Sequence, residues 1–322
     1  MADAPLPLAV TIGDPAGVGP ELILEAWSRR DELRLPPFVV IGGVDILREA
    51  GRRRGIAFPD SLVVETGVPA RYTPGDPLRE GALLARAALE RAAALARKGE
   101  VAGIVTAPVA KAAIFAVDES FVGQTEFCAD ACDAPRESAV MMLAGPSLRT
   151  VPMTVHCALS EVPSRLSQRL IVERTRIVAR AMHTDFGIAA PRIAIAGLNP
   201  HAGEDGRMGT EEIDTIAPAI ATLRGEGIDA TGPHPADTLF APHKRGSYDV
   251  AIAMYHDQAL VPLKTLDFDE GVNVTLGLSI VRTSPDHGTA FDIAGKGVAR
   301  PEAMIAAIRM AGEIAARRAA MA

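Results

Sequence analysis

Three apolar runs of this chain each lead into a histidine. Val250 to Met254 runs into Tyr255-His256-Asp257-Gln258, Thr150 to Val155 into His156, and Ile193 to Leu198 into Asn199-Pro200-His201. A short continuous apolar run reads as a strand of a parallel sheet covered on both faces. In open α/β sheets, ligands bind beyond the carboxyl ends of such strands. Imidazole is the usual ligand of zinc and its borderline neighbours, and three histidines with an open position describe a catalytic metal site. Taken singly, each histidine is explained as a strand cap or a partner of a backbone carbonyl. Three in the same structural position, with acidic residues nearby, point to one shared site.

Other residues add an anion-binding character. Lys264, Asn273 (in GVNVTLGL) and Arg282 (in IVRTSPDHG) follow His256 and supply cations and an amide, as a phosphate or carboxylate pocket needs. Lys111 closes another apolar run, Val101 to Thr106, through TAPVAK. Gly13 to Pro20, GDPAGVGP, stands between a strand and a helix, where backbone amides can meet an anion, and its Asp14 joins the site candidates. That turn has neither the GxGxxG order nor a Lys-Ser/Thr pair after its last glycine, so it matches neither the dinucleotide fingerprint nor the P-loop. The polar segment from His287, Gly288 and Thr289 to Gly297 is long enough to wrap an adenosine, with Asp292 placed to accept both ribose hydroxyls and repel a 2′-phosphate. Asp237 sits in a Pro-Ala-Asp-Thr turn, and Asn199 to Gly209 is a glycine-rich polar loop of the kind that carries function on a rigid scaffold.

The elements that must position these residues follow from periodicity. Strands are expected at Leu6 to Ile12, Phe38 to Ile41 and Val101 to Thr106. Helices are expected from Pro20, at Val44 to Arg54, at Glu80 to Lys98, at Val162 to Ala181, at Gly209 to Gly225 and at Pro301 to Arg318. Thr125, in GQTEF, is a plausible helix cap. The fold class is α/β. At 322 residues the chain exceeds what one core comfortably holds, so two lobes are expected.

Composition narrows the function classes. Hydrophobic residues make up 48% and charged residues 23%, which is ordinary for a globular protein. A net charge of −7 argues against a nucleic-acid or anionic-membrane surface, so local cations must attract an anionic substrate. Cys128, Cys132 and Cys157 make neither a disulfide framework nor a CxxC pair. With no signal-peptide pattern at the N-terminus and no long apolar window, a soluble cytoplasmic protein is expected. Cys157 is expected to point away from His156, as neighbours on an extended segment do.

GDPAGVGPE (13–21), TAPVAK (106–111), GQTEF (123–127), LNPHAGEDGRMGTEE (198–212), PADTLF (235–240), AMYHDQ (253–258), GVNVTLGL (271–278) and RTSPDHGTAFDIAGKG (282–297) resemble the 4-hydroxythreonine-4-phosphate dehydrogenases of pyridoxal phosphate biosynthesis, in order and over essentially the whole chain. HGTAFDIAGKG is also similar to the adenine-binding loop of isocitrate and isopropylmalate dehydrogenases. The resemblance implies their two-lobed fold, with mostly parallel sheets and helices on both faces. One lobe would be 1–120 plus 286–322, including the adenine-binding loop. The other would be 121–285, carrying the metal and substrate ligands and the dimer interface. It implies His156, His201 and His256 as ligands of a divalent ion (zinc, cobalt or magnesium), with NAD or NADP as cofactor. It implies Gln124, Thr125, Lys264, Asn273 and Arg282 at the substrate, and Asp257 and Asp237 as candidate acid or base. It further implies a homodimer whose site is shared across the interface, with His256 coming from the partner. The reaction implied is oxidation of 4-phosphohydroxy-L-threonine to a β-keto acid that decarboxylates to 3-amino-2-oxopropyl phosphate. One departure stands out: the family usually has His where this chain has Gln124. A sister activity on erythronate or threonate 4-phosphate therefore stays open. Phosphate acyltransferases, metal-dependent hydrolases and a non-catalytic metabolite sensor are the rivals from other classes.

Overall fold

A computed structural model describes residues 5–321. The chain falls into two compact units, Met1–Ala139 with Leu278–Ala319, and Val140–Gly277 with Ala320–Ala322. In chain order the first unit begins with strands β1 (Leu8–Thr11), β2 (Phe38–Gly42), β3 (Val63–Glu65) and β4 (Gly103–Thr106). The second unit contributes β5 (Val140–Ala144), β6 (Arg149–Thr154), β7 (Ile193–Ala196), β8 (Ala230–His234), β9 (Val250–Tyr255) and β10 (Val272–Leu276). The chain then returns to the first unit with β11 (Arg282–Pro285).

In the first unit the strand order is β3-β2-β1-β4-β11, parallel throughout. Every residue of β1 and β4 is buried, as the uninterrupted apolar runs require. The alanine-rich helix Arg79–Arg97 packs on β1, β2 and β4, and its Ala88 and Ala92 meet Ala9, Ile41 and Ile104 in a core that also takes in Cys128 and Ala129. In the second unit the order is β10-β5-β6-β9-β7-β8. There β5 is antiparallel to both its neighbours, while β6, β9, β7 and β8 run parallel. Helix His256–Leu266 packs on β5, β6 and β9, closing a core of Leu143, Ala251, Ala253, Ala259 and Leu263.

The unit boundaries differ from the expected 1–120 plus 286–322. Helix Gln124–Ala131 packs against Arg79–Arg97, and β11 pairs with β4, so both belong to the first unit. Long-range strand and helix packing of this kind leaves no mark in local periodicity. Three local expectations also change. The long helix expected at Val162 to Ala181 is two, Val162–Arg165 and Gln168–Thr184, separated where Ser167 caps the second by accepting from Leu170 N–H at 3.1 Å. The helix expected from Gly209 begins with a π-helical turn at Glu212–Ile216 before the α-helix Ala217–Gly225. Thr125 is not a cap: helix Gln124–Ala131 is preceded by Gly123, and no side chain caps it. Among the described residues no helix is long and apolar enough to cross a membrane.

Candidate active site

The second unit explains why three strands end in histidine. β6, β9 and β7 are adjacent and parallel in that order, so their carboxyl ends lie side by side. His156 follows β6 after one residue, His256 follows β9 directly, and His201 follows β7 after a four-residue turn. The imidazole rings of His156 and His256 are 5.7 Å apart between centroids and tilted by 41°. Two imidazoles about 2 Å from one ion in a tetrahedral site have centroids roughly 5 Å apart. The pair therefore fits two ligands of a divalent ion. The resemblance implies that His256 comes from the partner, yet in this chain it stands beside the chain's own His156, because β6 and β9 are neighbours. His201 does not complete a trio with them: among the described residues, no three His, Cys, Asp or Glu side chains come together as a metal-binding group.

The pair is oriented from behind. Nδ1 of His256 lies 2.7 Å from Oδ1 of Asp257. A carboxylate that accepts from Nδ1–H leaves Nε2 as the nitrogen free to face a metal ion. A cleft of about 550 Å³ runs past both rings and is lined also by Thr154, Cys157, Leu159, Glu161 and Tyr255. Cys157 lines the same cleft as His156, contrary to the alternation expected of a strand. The reason is local: His156 has φ 49°, so the chain is no longer extended there.

Asp237 is exposed in the short helix Ala236–Leu239, which packs against the Pro200–Gly203 turn carrying His201. Lys264 is half-buried in the last turn of helix His256–Leu266. Asn273 lies in β10 opposite Leu143, and its Oδ1 is buried without a hydrogen-bond partner.

The first unit holds the remaining candidates. Arg282, at the start of β11, is buried; its Nη2 donates to Thr106 Oγ1 at 2.7 Å and to Gln124 Oε1 at 2.9 Å. Burial lowers its pKa from the ordinary guanidinium value. Gln124 Nε2 donates to Ala107 O at 3.3 Å, so this amide is bonded at both ends. Thr125 follows it in the first turn of the helix, half-buried, and Lys111 is exposed at the start of helix Lys111–Phe115. Nearby Cys128 has its thiol pushed up to about 11, chiefly by burial, so it stays protonated and behaves as core.

Asp14 is buried in the turn after β1, and burial raises its carboxyl pKa against the opposing effect of a 3.0 Å bond from Ala16 N–H. The candidate cofactor loop is fastened to this turn. Val18 N–H donates to Thr289 O at 3.0 Å, and a Cβ at Gly17 would stand 2.8 Å from that same oxygen, so the close approach needs glycine. His287 Nδ1 lies 3.0 Å from Gly288 O, and Asp292 is exposed.

Several residues that position the site were not singled out from the sequence. Glu21 is buried, and its carboxylate accepts from Gly295 N–H and, at 3.3 Å, from Gly297 N–H. Gln258 is buried behind His256; its Oε1 accepts from Met254 N–H at 2.6 Å and its Nε2 donates to Gly197 O at 2.9 Å. Glu212 is buried beneath the His201 loop. Each lies inside or beside a quoted motif. The usable signal was an acidic or amide residue just after a glycine-rich turn or a candidate ligand.

The family model described as "Pyridoxal phosphate biosynthetic protein PdxA" matches residues 43–311. The chain is 58% identical to a 4-hydroxythreonine-4-phosphate dehydrogenase of Erythrobacter litoralis, over 99% of each chain. It is 48% identical to one of Zymomonas mobilis, over 98% of each. A crystal structure of 4-hydroxythreonine-4-phosphate dehydrogenase from Klebsiella pneumoniae superposes with a TM-score of 0.84 at 36% identity, covering 98% of this chain and 99% of that one.

Proposed function

The chain belongs to the PdxA family of pyridoxal phosphate biosynthetic proteins, and from that premise we propose that it is a metal- and NAD-dependent dehydrogenase of 4-phosphohydroxy-L-threonine. The product is 2-amino-3-oxo-4-phosphooxybutanoate, which loses carbon dioxide to give 3-amino-2-oxopropyl phosphate. The observation that carries this reading is the His156–His256 pair with Asp257 on Nδ1, at the carboxyl ends of adjacent parallel strands. His156, His256 and His201 hold the divalent ion, with the third ligand brought in by assembly of a homodimer. When bound, the ion would supply Lewis acidity to the substrate's hydroxyl and keto oxygen, and NAD would supply the hydride acceptor.

The chain's own residues do the rest. Asp257 keeps the His256 ring in register and its Nδ1 protonated. Asp237, exposed beside the His201 turn, is then the candidate for the group that takes the hydroxyl proton, with a lysine as the alternative. In the second unit Lys264 would pair with an anionic end of the substrate, with Asn273 Oδ1 accepting from a substrate donor; in the first unit Arg282 and Thr125 form a second polar, cationic pair suited to an anion. Thr289, Asp292 and their neighbours enclose the adenosine part of the cofactor, held by Glu21 and the Gly13–Val18 turn.

A second reading rests on Gln124, which cannot carry the charge of the family's histidine: the substrate is then erythronate or threonate 4-phosphate. The test follows NADH absorbance with each candidate substrate, before and after chelation and zinc, cobalt or magnesium add-back. Metal-restored NADH from 4-phosphohydroxy-L-threonine is the expected result. A signal from the sugar-acid phosphates alone transfers the assignment to them, and silence with all of them despite bound metal rejects both readings.

A further inference from the structure

The loop that carries His201 has an unusual backbone. His201, Ala202, Gly203, Glu204, Asp205 and Gly206 all have positive φ, between 44° and 87°. L-residues visit this left-handed region singly and at a cost, and do not string it into a turn unless something holds them there. Glu212 anchors the two residues that lead into the turn. Its carboxylate accepts from Leu198 N–H and Asn199 N–H, both at 2.7 Å, and from the Asn199 side-chain amide at 2.9 Å. Asn199 is held a second time by Glu211, at 2.7 Å. The carboxylate also occupies space inside the loop: a Cβ at Gly203 would lie 2.7 Å from Glu212 Oε2. Glu212 is 3% exposed and opens the π-helical turn at 212–216, an irregularity that aims its side chain back under the loop.

The adjacent strand ends are laced to the same place. Thr154 Oγ1 donates to Met254 O at 2.8 Å, tying β6 to β9, and Gln258 bonds both Met254 N–H and Gly197 O, tying β9 to the residue after β7. Glu212 takes up the next two amides, of Leu198 and Asn199. One run of side-chain bonds therefore spans the bases of all three histidine-bearing segments.

We propose that Glu212 is a positioning residue for the metal centre: its carboxylate holds the left-handed turn 201–206 and thereby sets where His201 is presented. The proposal rests on the reading of His201 as a metal ligand given above. Outer groups of this kind typically change metal affinity 10–100-fold, without contacting the ion.

The test uses the full-length protein with zinc as the probe, in wild type, Glu212→Gln and His201→Ala. Zinc affinity is measured by competition with a chromophoric chelator, and amide hydrogen exchange is followed in peptides spanning 197–206. The glutamine variant should weaken zinc binding ~10–100-fold and speed exchange in that segment. His201→Ala should weaken zinc binding with the protection of Leu198 and Asn199 retained. If Glu212→Gln binds zinc like wild type while His201→Ala does not, the positioning role is overturned and the dehydrogenase reading stands. If His201→Ala itself keeps full zinc affinity, the ligand assignment fails and the positioning role falls with it. That case is told apart because Glu212→Gln then alters exchange alone. Should Glu212→Gln not fold, Glu212→Asp keeps the charge, withdraws it by one methylene, and carries the same expectations at smaller amplitude.

Discussion

At Asp14, burial and ionisation oppose each other. The turn after β1 removes its carboxyl from water, which raises its pKa, and the bond from Ala16 N–H works the other way with smaller effect. A raised acid pKa means the folded chain takes up a proton more readily than the unfolded one. The stability tied to Asp14 is thus full below the unfolded carboxyl's pKa and is lost as pH rises through the folded value. Asp14→Asn keeps the acceptor for Ala16 and removes the charge. It should raise the Tm at neutral pH by ~2 °C, the shift that about 1 kcal/mol produces in a large domain. The gap from wild type should close below about pH 4, where an unfolded aspartate is itself protonated. Thermal unfolding across pH measures this, and a variant less stable than wild type at neutral pH would count against the burial argument. At the proposed metal pair, His256→Ala should abolish metal-dependent turnover in a folded protein. Asp257→Asn should lower metal affinity ~10–100-fold, because a neutral amide oxygen is a weaker acceptor for Nδ1–H than the carboxylate. Metal titration with circular dichroism checks both, and wild-type metal affinity in either variant would contradict the pair's role.

Two loops of the candidate sites are each held by a buried carboxylate, the His201 loop by Glu212 and the 287–297 segment by Glu21. The 287–297 segment has little regular structure of its own; Glu21 bonds the N–H groups of Gly295 and Gly297, and the Gly13–Val18 turn bonds Thr289. Replacing Glu21 by Gln leaves one acceptor oxygen where there were two and turns an N–H donor toward the loop. The expected outcome is a KM for NAD raised ~10-fold, as for loss of about 1.4 kcal/mol of binding, with zinc affinity unchanged. Steady-state kinetics with varied NAD reads the first and chelator competition the second; a changed zinc affinity with unchanged KM would show that Glu21 does not serve the cofactor loop. Periodicity located the strands that matter, since fully buried parallel strands are apolar throughout. It did not foresee the break at Leu166-Ser167 or the π-helical turn at Glu212–Ile216, because a capping serine and a buried glutamate look like ordinary polar residues within a helical pattern.

For the whole molecule, the incomplete trio within one chain sets the expectation. His156 and His256 pair, His201 does not complete a group with them, and the proposed homodimer supplies what is missing. His201→Ala and His256→Ala should each be inactive alone and regain activity when mixed and allowed to exchange subunits. A heterodimer of the two keeps one intact site, so random exchange should return about one quarter of the wild-type rate. No recovery, with exchange verified by native mass, would mean that each site draws all its ligands from one chain.

The sequence alone determined the α/β class, the positions of the histidine-bearing strands, and the family through motifs spread along the whole chain. These are legible because strand burial and tight glycine turns constrain residue type locally. Only the tertiary structure decided that β6, β9 and β7 are neighbours, that Gln124 is bonded to buried Arg282, and that Glu21, Gln258 and Glu212 hold the loops. Those partners are joined by strand order and by bonds between residues such as Gln258 and Gly197, which lie far apart in the chain. No local pattern encodes which of many polar residues will be the buried one, because burial is set by what packs against it.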